Sequence, residues 1–181
     1  MMKQLFLALL TGFFMTTANA ADPENTLYLD TKDGRVTIEL LPEKAPNHVA
    51  RIKELVRDGF YDGIVFHRVM DGFMAQTGDP TGTGMGGSDK PDLKAEFNDV
   101  SHKRGVVSMA RAGNPHSANS QFFIVLEDST FLDRQYTAWG KVTDGMEHVD
   151  AIKKAPKGSQ SGTVTDPDKI VKMVVAADAD K

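Results

Sequence analysis

The chain has 181 residues, 40% of them hydrophobic, which suffices for one domain with a sizeable core and is too little for two. A formal net charge of −4 with scattered Lys and Arg excludes a general nucleic-acid binder, since neutralising phosphates takes a basic face. The cysteine count of 0 excludes disulfides, thiol catalysis and thiolate metal sites, so stability has to come from packing.

At the amino terminus, Lys3, the apolar run 5–15 and the small residues of Ala18-Asn19-Ala20 stand in the order of a secretory signal peptide, with cleavage after Ala20. The run is shorter than the roughly 20 apolar residues of a membrane span. Residues 1–20 are therefore expected to be an export signal and residues 21–181 a single mature domain, periplasmic or otherwise exported, with no stable membrane insertion after cleavage. Residues 26–31 and 35–41 alternate apolar and polar side chains around Lys32-Asp33-Gly34, the pattern of a hairpin with one buried face. Pro46 suits a first helical turn. Val49, Ile52, Leu55 and Val56 then recur at helical spacing until Asp58-Gly59, with Arg51, Lys53, Glu54 and Arg57 read as a solvated face. His48, His67, His102, His116 and His148 show no paired spacing, so no metal or other cofactor is expected.

The stretch 66–80 mixes one cation, one amide and several large apolar groups between turn residues. Arg68, Met74 and Gln76 are separated by even numbers of residues, so a turn at Asp71-Gly72 decides which of them converge. A core strand has little use for Arg or Gln; the alternatives are a binding site and a strand with a snorkelling Arg. Residues 79–87, with Pro80, Gly82, Gly84, Gly86 and Gly87, read as a loop. No Lys-Ser/Thr pair follows to make it a phosphate cradle, and a rim beside a peptide groove fits better. Short β-like runs follow at 94–97, 105–110, 121–125 and 137–142, then a helical pattern at 145–154 and a β-rich run at 170–176. Two helices in a mainly β chain with short strands suggest a barrel or sandwich.

Phe66-His67-Arg68, then Gly72-Phe73-Met74-x-Gln76-x-Gly78-Asp79, then Asn119-Ser120-Gln121-Phe122-Phe123-Ile124 and Trp139-Gly140-Lys141-Val142 follow one another as they do in cyclophilins. From about Leu27 to Val175 the chain resembles a cyclophilin-type peptidyl-prolyl isomerase of the exported bacterial kind. The resemblance implies a closed eight-stranded antiparallel barrel capped by two α-helices, a substrate groove on its outer wall, and proline-containing polypeptides as partners. A monomer is expected. The implied reaction is rotation about the peptide bond before proline, which assists folding. Arg68 would donate to the amide nitrogen as it regains its lone pair in the twisted state, and a guanidinium suits this because it keeps its proton and needs no general base.

By the same resemblance Gln76 would orient Arg68 or the substrate backbone. Phe73, Met74, Phe123 and Leu132 would line the pocket for the proline ring. Ala110, Arg111 and Gln121 would form the groove floor, with Gly82 and Thr83 as its rim. Three positions depart from the family pattern: Arg111 stands where many cyclophilins have Asn, Phe131 where Trp is usual, and Tyr136 where His is usual. Cyclosporin is expected to bind weakly, because Phe131 lacks the indole donor. Two other functions stay open on sequence grounds. One is a non-catalytic peptide-binding or chaperone module on the same barrel; the other is a lipocalin-like carrier with a ligand in its lumen. Arg68 and Gln76 together count against the first.

Overall fold

Alternating side chains build the first hairpin. In the computed structural model, which describes residues 22–180, strand β1 (Thr26–Thr31) pairs antiparallel with β2 (Gly34–Leu40), from Thr26 opposite Glu39 to Thr31 opposite Gly34. Leu27, Leu29, Val36, Ile38 and Leu40 are buried on one face, as the period of two requires. The export signal expected over residues 1–20 lies outside the described residues. Helix α1 (Pro46–Arg57) follows, with Pro46 in its first turn and Val49, Ile52, Leu55 and Val56 in the core. Ala45 gives the helix no side-chain cap. Its free amides go instead to the Glu96 carboxylate, which accepts from the backbone N–H groups of Asn47 and His48. Arg51 departs from the expected solvated face: it is only 9% exposed and donates Nη1 to the Pro91 carbonyl at 3.0 Å.

The remaining strands are β3 (Arg68–Met70), β4 (Met74–Thr77), β5 (Val106–Met109), β6 (Phe122–Val125), β7 (Ala138–Asp144) and β8 (Lys172–Val175). They form one antiparallel sheet in the order β3-β4-β6-β5-β7-β2-β1-β8. Register shifts at Thr37/Ile38 and Val107/Ser108 mark bulges that sharpen its curl. The closed barrel expected from the family pattern is corrected here, because β3 and β8 share no ladder and the sheet is open between them. An irregular segment bridges that seam. Val69 N–H donates to the Gly162 carbonyl, Val164 N–H to that of His67, Phe66 N–H to that of Asp168, and Val171 N–H to that of Asp30. Only single bridges, Val65 with Lys169 and Arg68 with Thr163, have strand geometry there.

Two more expectations are revised. Residues 94–97 form no strand, because side chains take their amides: Ala95 N–H donates to His116 Nδ1 and Glu96 N–H to Thr137 Oγ1. The second helix, α2 (Met146–Asp150), is shorter than 145–154. Beyond it Lys153 N–H turns to the Asp168 carboxylate, Ala155 N–H to the Val69 carbonyl, and Pro156 bars continuation. The concave face of the sheet is filled by Leu27, Leu29, Ile38, Phe66, Met109, Phe122, Ile124 and Trp139, with the apolar faces of α1 and α2 packed into the same core. A lumen packed in this way has no room for the cargo of a carrier. Trp139 meets Phe122 edge-on at 5.4 Å between ring centroids.

Candidate functional site

Pleat parity sends one set of side chains to the convex face. Val69, Ala75, Phe122 and Ile124 face the main core, so Arg68, Met70, Met74, Gln76, Phe123 and Val125 face the other way. The tight turn at Asp71-Gly72, where Gly72 takes φ 69°, sets the register Arg68 opposite Gln76 and Met70 opposite Met74. Gln76 lies in turn opposite Phe123 on β6, and Phe123 opposite Ser108 on β5. The even spacing legible in the sequence thus becomes one outward stripe across four strands.

Over this stripe lies a pocket of about 350 Å³, lined by Arg68, Phe73, Met74, Gln76, Gly82, Thr83, Ala110, Arg111, Phe123, Leu132 and Tyr136, all expected from the sequence, together with His67, Gly84 and Thr163. These last three were not foreseen. His67 sits next to Arg68 in the motif that raised the resemblance, and its ring packs so that a Cβ at Gly84 would stand 3.4 Å away. Thr163 comes from the seam segment, which no local pattern marks. Gln121 does not line this pocket but a second one of about 420 Å³, which shares Gln76, Gly84, Ala110 and Arg111 with the first. Phe131 lies on the rim, 64% exposed, with its ring 5.6 Å from that of Phe73.

A relay of hydrogen bonds fixes the polar side. Arg68 donates Nε to the Ser161 carbonyl at 2.9 Å, Nη1 to Gln76 Oε1 at 3.3 Å, and Nη2 to the Met70 sulfur at 3.3 Å. Gln76 Nε2 donates to Gln121 Oε1 at 2.9 Å, and Gln121 Nε2 to the carbonyls of Gly84 and Gly86 at 3.1 and 2.7 Å. The glycine loop is itself clamped by Asp79. Burial alone would raise that carboxyl, but donation from the backbone of Gly86, from the Thr81 hydroxyl and amide, and from the Gly84 amide outweighs it and lowers the pKa to about 2. Gly78, at φ 87°, starts the loop where a side chain would strike the Ser120 carbonyl.

The apolar side is held from behind by a buried histidine. His102 lies between Phe123, stacked at 6.2 Å, and Tyr136, edge-on at 6.5 Å. Its Nδ1 contacts Asp133 Oδ1 at 3.0 Å and its Nε2 contacts the Ser108 hydroxyl at 3.0 Å. Asp133 also accepts from Ser101 Oγ and from the His102 amide, both at 2.7 Å. This ties the turn carrying Leu132 to the strand behind Phe123. Ser, His and Asp recur here in the order of a hydrolytic triad, yet Ser108 and His102 are wholly buried, so the cluster supports a wall and offers no nucleophile. Desolvation holds the His102 pKa below the ordinary value, with Asp133 opposing.

Such an assembly suits a ligand with a small apolar ring beside an amide, since Phe73, Met74, Phe123 and Leu132 offer an apolar wall and Arg68 a donor in the same pocket. Comparison with known proteins agrees. Residues 26–175 match the profile of the cyclophilin type peptidyl-prolyl cis-trans isomerase/CLD family. The chain is 53% identical over 184 residues to a probable peptidyl-prolyl cis-trans isomerase of Brucella suis, covering 96% of this chain and 93% of that one. It is 45% identical over 124 residues to peptidyl-prolyl cis-trans isomerase B of Bacillus subtilis, covering 67% and 86%. Among solved structures, a cyclophilin from Hirschia baltica superposes with a TM-score of 0.78 at 32% identity, covering 87% of this chain and 76% of that one. A Cryptosporidium parvum cyclophilin type isomerase, crystallised in the presence of the dipeptide Ala-Pro, gives 0.76 at 30%, covering 83% and 98%. With its fold, its outward stripe and its relatives in agreement, the chain belongs to the cyclophilin type peptidyl-prolyl cis-trans isomerases.

Proposed function

We propose that this groove binds proline-containing segments of unfolded or flexible polypeptides and speeds rotation about the X-Pro bond, with Arg68 as the donor to the twisting amide. The observation that carries the reading is a guanidinium held by the Ser161 carbonyl and Gln76 in a pocket with an apolar wall. Amide resonance sets a barrier of about 18–20 kcal/mol, and the uncatalysed step takes tens of seconds or more. In the twisted state the nitrogen is pyramidal and regains a lone pair, so a fixed donor there stabilises that state more than the planar one. Bringing the step to about a millisecond needs roughly 5.5 to 7 kcal/mol, of which one charged hydrogen bond supplies about 1.5 to 3. The ring pocket and the backbone contacts along Ala110, Arg111 and Gln121 supply the rest by favouring a peptide already turned out of plane.

The Ala-Pro dipeptide named for the Cryptosporidium relative supports proline peptides as ligands. The enzyme is exported after cleavage behind Ala20, a reading supported by the charged flank, apolar run and small-residue site of residues 1–20. Cyclosporin binds weakly, for want of an indole donor at Phe131. The test is isomerisation of a short proline peptide by purified residues 21–181; a rate equal to that of buffer alone overturns the assignment.

A further inference from the structure

We propose that Arg111 is a specificity-determining residue, which gives this groove a preference for proline peptides carrying an acidic side chain next to the proline. The inference rests on the isomerase reading, since it names the substrate class of that same groove. Arg111 belongs to the lining of both pockets, the one against Phe123 and the one beside Gln121, so a chain that occupies both passes over it. Its guanidinium is fixed. The Cζ lies 4.7 Å above the Tyr136 ring, Nε and Nη2 donate to the Gln135 carbonyl at 3.2 and 3.1 Å, and Nη1 donates to the Ala112 carbonyl at 2.9 Å. These partners are all neutral, so they hold the charge in place without cancelling it.

The surrounding charges point the same way. The first pocket is lined by two guanidiniums, those of Arg68 and Arg111, and by no carboxylate. The nearby carboxylates keep their charge but stand outside the lining of that pocket, each held by other donors. Asp79 accepts the loop amides, Asp133 accepts from Ser101 and His102, and Asp92, in the lining of the second pocket, accepts from Asn119 Nδ2. The whole molecule carries a formal charge of −4, which by itself disfavours acidic peptides. A preference for them therefore reports the local field of the groove. For a part-exposed pair the expected gain is about three- to fivefold per unit of charge, hence about tenfold or somewhat more over the two units between a lysine and a glutamate.

The experiment uses short proline peptides with Glu, Gln or Lys immediately before the proline and a matching set with these residues immediately after it. For each, kcat/KM for isomerisation and Kd by NMR titration are measured at low salt with the native protein, Arg111→Lys, Arg111→Gln and Arg111→Glu. Expected is a Glu-over-Lys ratio near ten at one of the two flanking positions, kept by Arg111→Lys, reduced to below about threefold by Arg111→Gln and inverted by Arg111→Glu. Each ratio is taken within one protein, so the overall turnover of a variant does not enter. A native ratio at or below one at both positions, or a ratio unmoved by Arg111→Gln, overturns the proposal. If no peptide is isomerised the catalytic reading fails, and the Kd ratios still decide this one.

Discussion

Arg68 can favour a twisted amide only if its own geometry costs nothing to hold, and three acceptors of different kinds do that work: a carbonyl, an amide oxygen and a thioether. Arg68→Ala is expected to lower kcat/KM by roughly 10² or more, as the loss of about 3 kcal/mol of twisted-state stabilisation requires. Arg68→Lys should be nearly as poor, because an ammonium cannot reach Ser161, Gln76 and a substrate at once. Equal kcat/KM at an equal unfolding midpoint would remove Arg68 from the mechanism. At the rim, Phe131 stands free enough to be exchanged with little disturbance to the fold. Phe131→Trp is expected to tighten cyclosporin inhibition by one to two decades through an added N–H donor and ring area, about 1.5 to 3 kcal/mol, while turnover changes far less. Inhibition constants for the two proteins decide it, and equally tight inhibition of both would clear Phe131 of that role.

Among the elements, the glycine loop after β4 lines both pockets through Gly84. Asp79 holds it by accepting from Thr81, Gly84 and Gly86, and Gln121 hangs from the carbonyls of Gly84 and Gly86. Asp79→Ala leaves these donors without their acceptor and should destabilise the protein by about 2 to 4 kcal/mol. It should also cut kcat/KM by about tenfold to 10², since the relay to Arg68 loses its far anchor. A urea midpoint that falls while kcat/KM stays put would show the loop to be scaffold alone. The elements also show what was legible beforehand. The first hairpin could be read from the chain because it follows from a period of two between neighbours, and so could the shared parity of Arg68 and Gln76, although their association came from the family resemblance. The buried Arg51 and the irregular course of 94–97 could not, since Pro91, His116 and Thr137, their partners, lie from 21 to 41 residues away and leave no local period. Thr163 entered the pocket unannounced for the same reason.

For the whole molecule, acid is the sensitive variable. His48, His67 and His102 are buried, and desolvation holds each below the ordinary histidine pKa against the pull of Glu96, Asp79 and Asp133 respectively. The unfolded chain takes up these protons near pH 6.5 while the folded one resists, so stability is full above about 6.5 and falls as the pH drops below it. Each histidine adds a slope of at most about 1.4 kcal/mol per pH unit. Asp79 adds a second loss between about pH 4 and 2, as the pH falls towards its own lowered value. Urea midpoints from pH 8 to 5 should therefore decline with acid, and a flat profile would mean that the three rings protonate without unfolding. The open seam between β3 and β8 carries a different consequence. Its bonds run to an irregular segment and not to a paired strand, so it can part without breaking a ladder. In deuterium oxide the amides of Val69 and Val164 should exchange well before those of Ile38 and Ile124. The Ser161 carbonyl that steadies Arg68 belongs to the same segment, so the exchange rate of the Val69 amide becomes a clock for how often that guanidinium is let go.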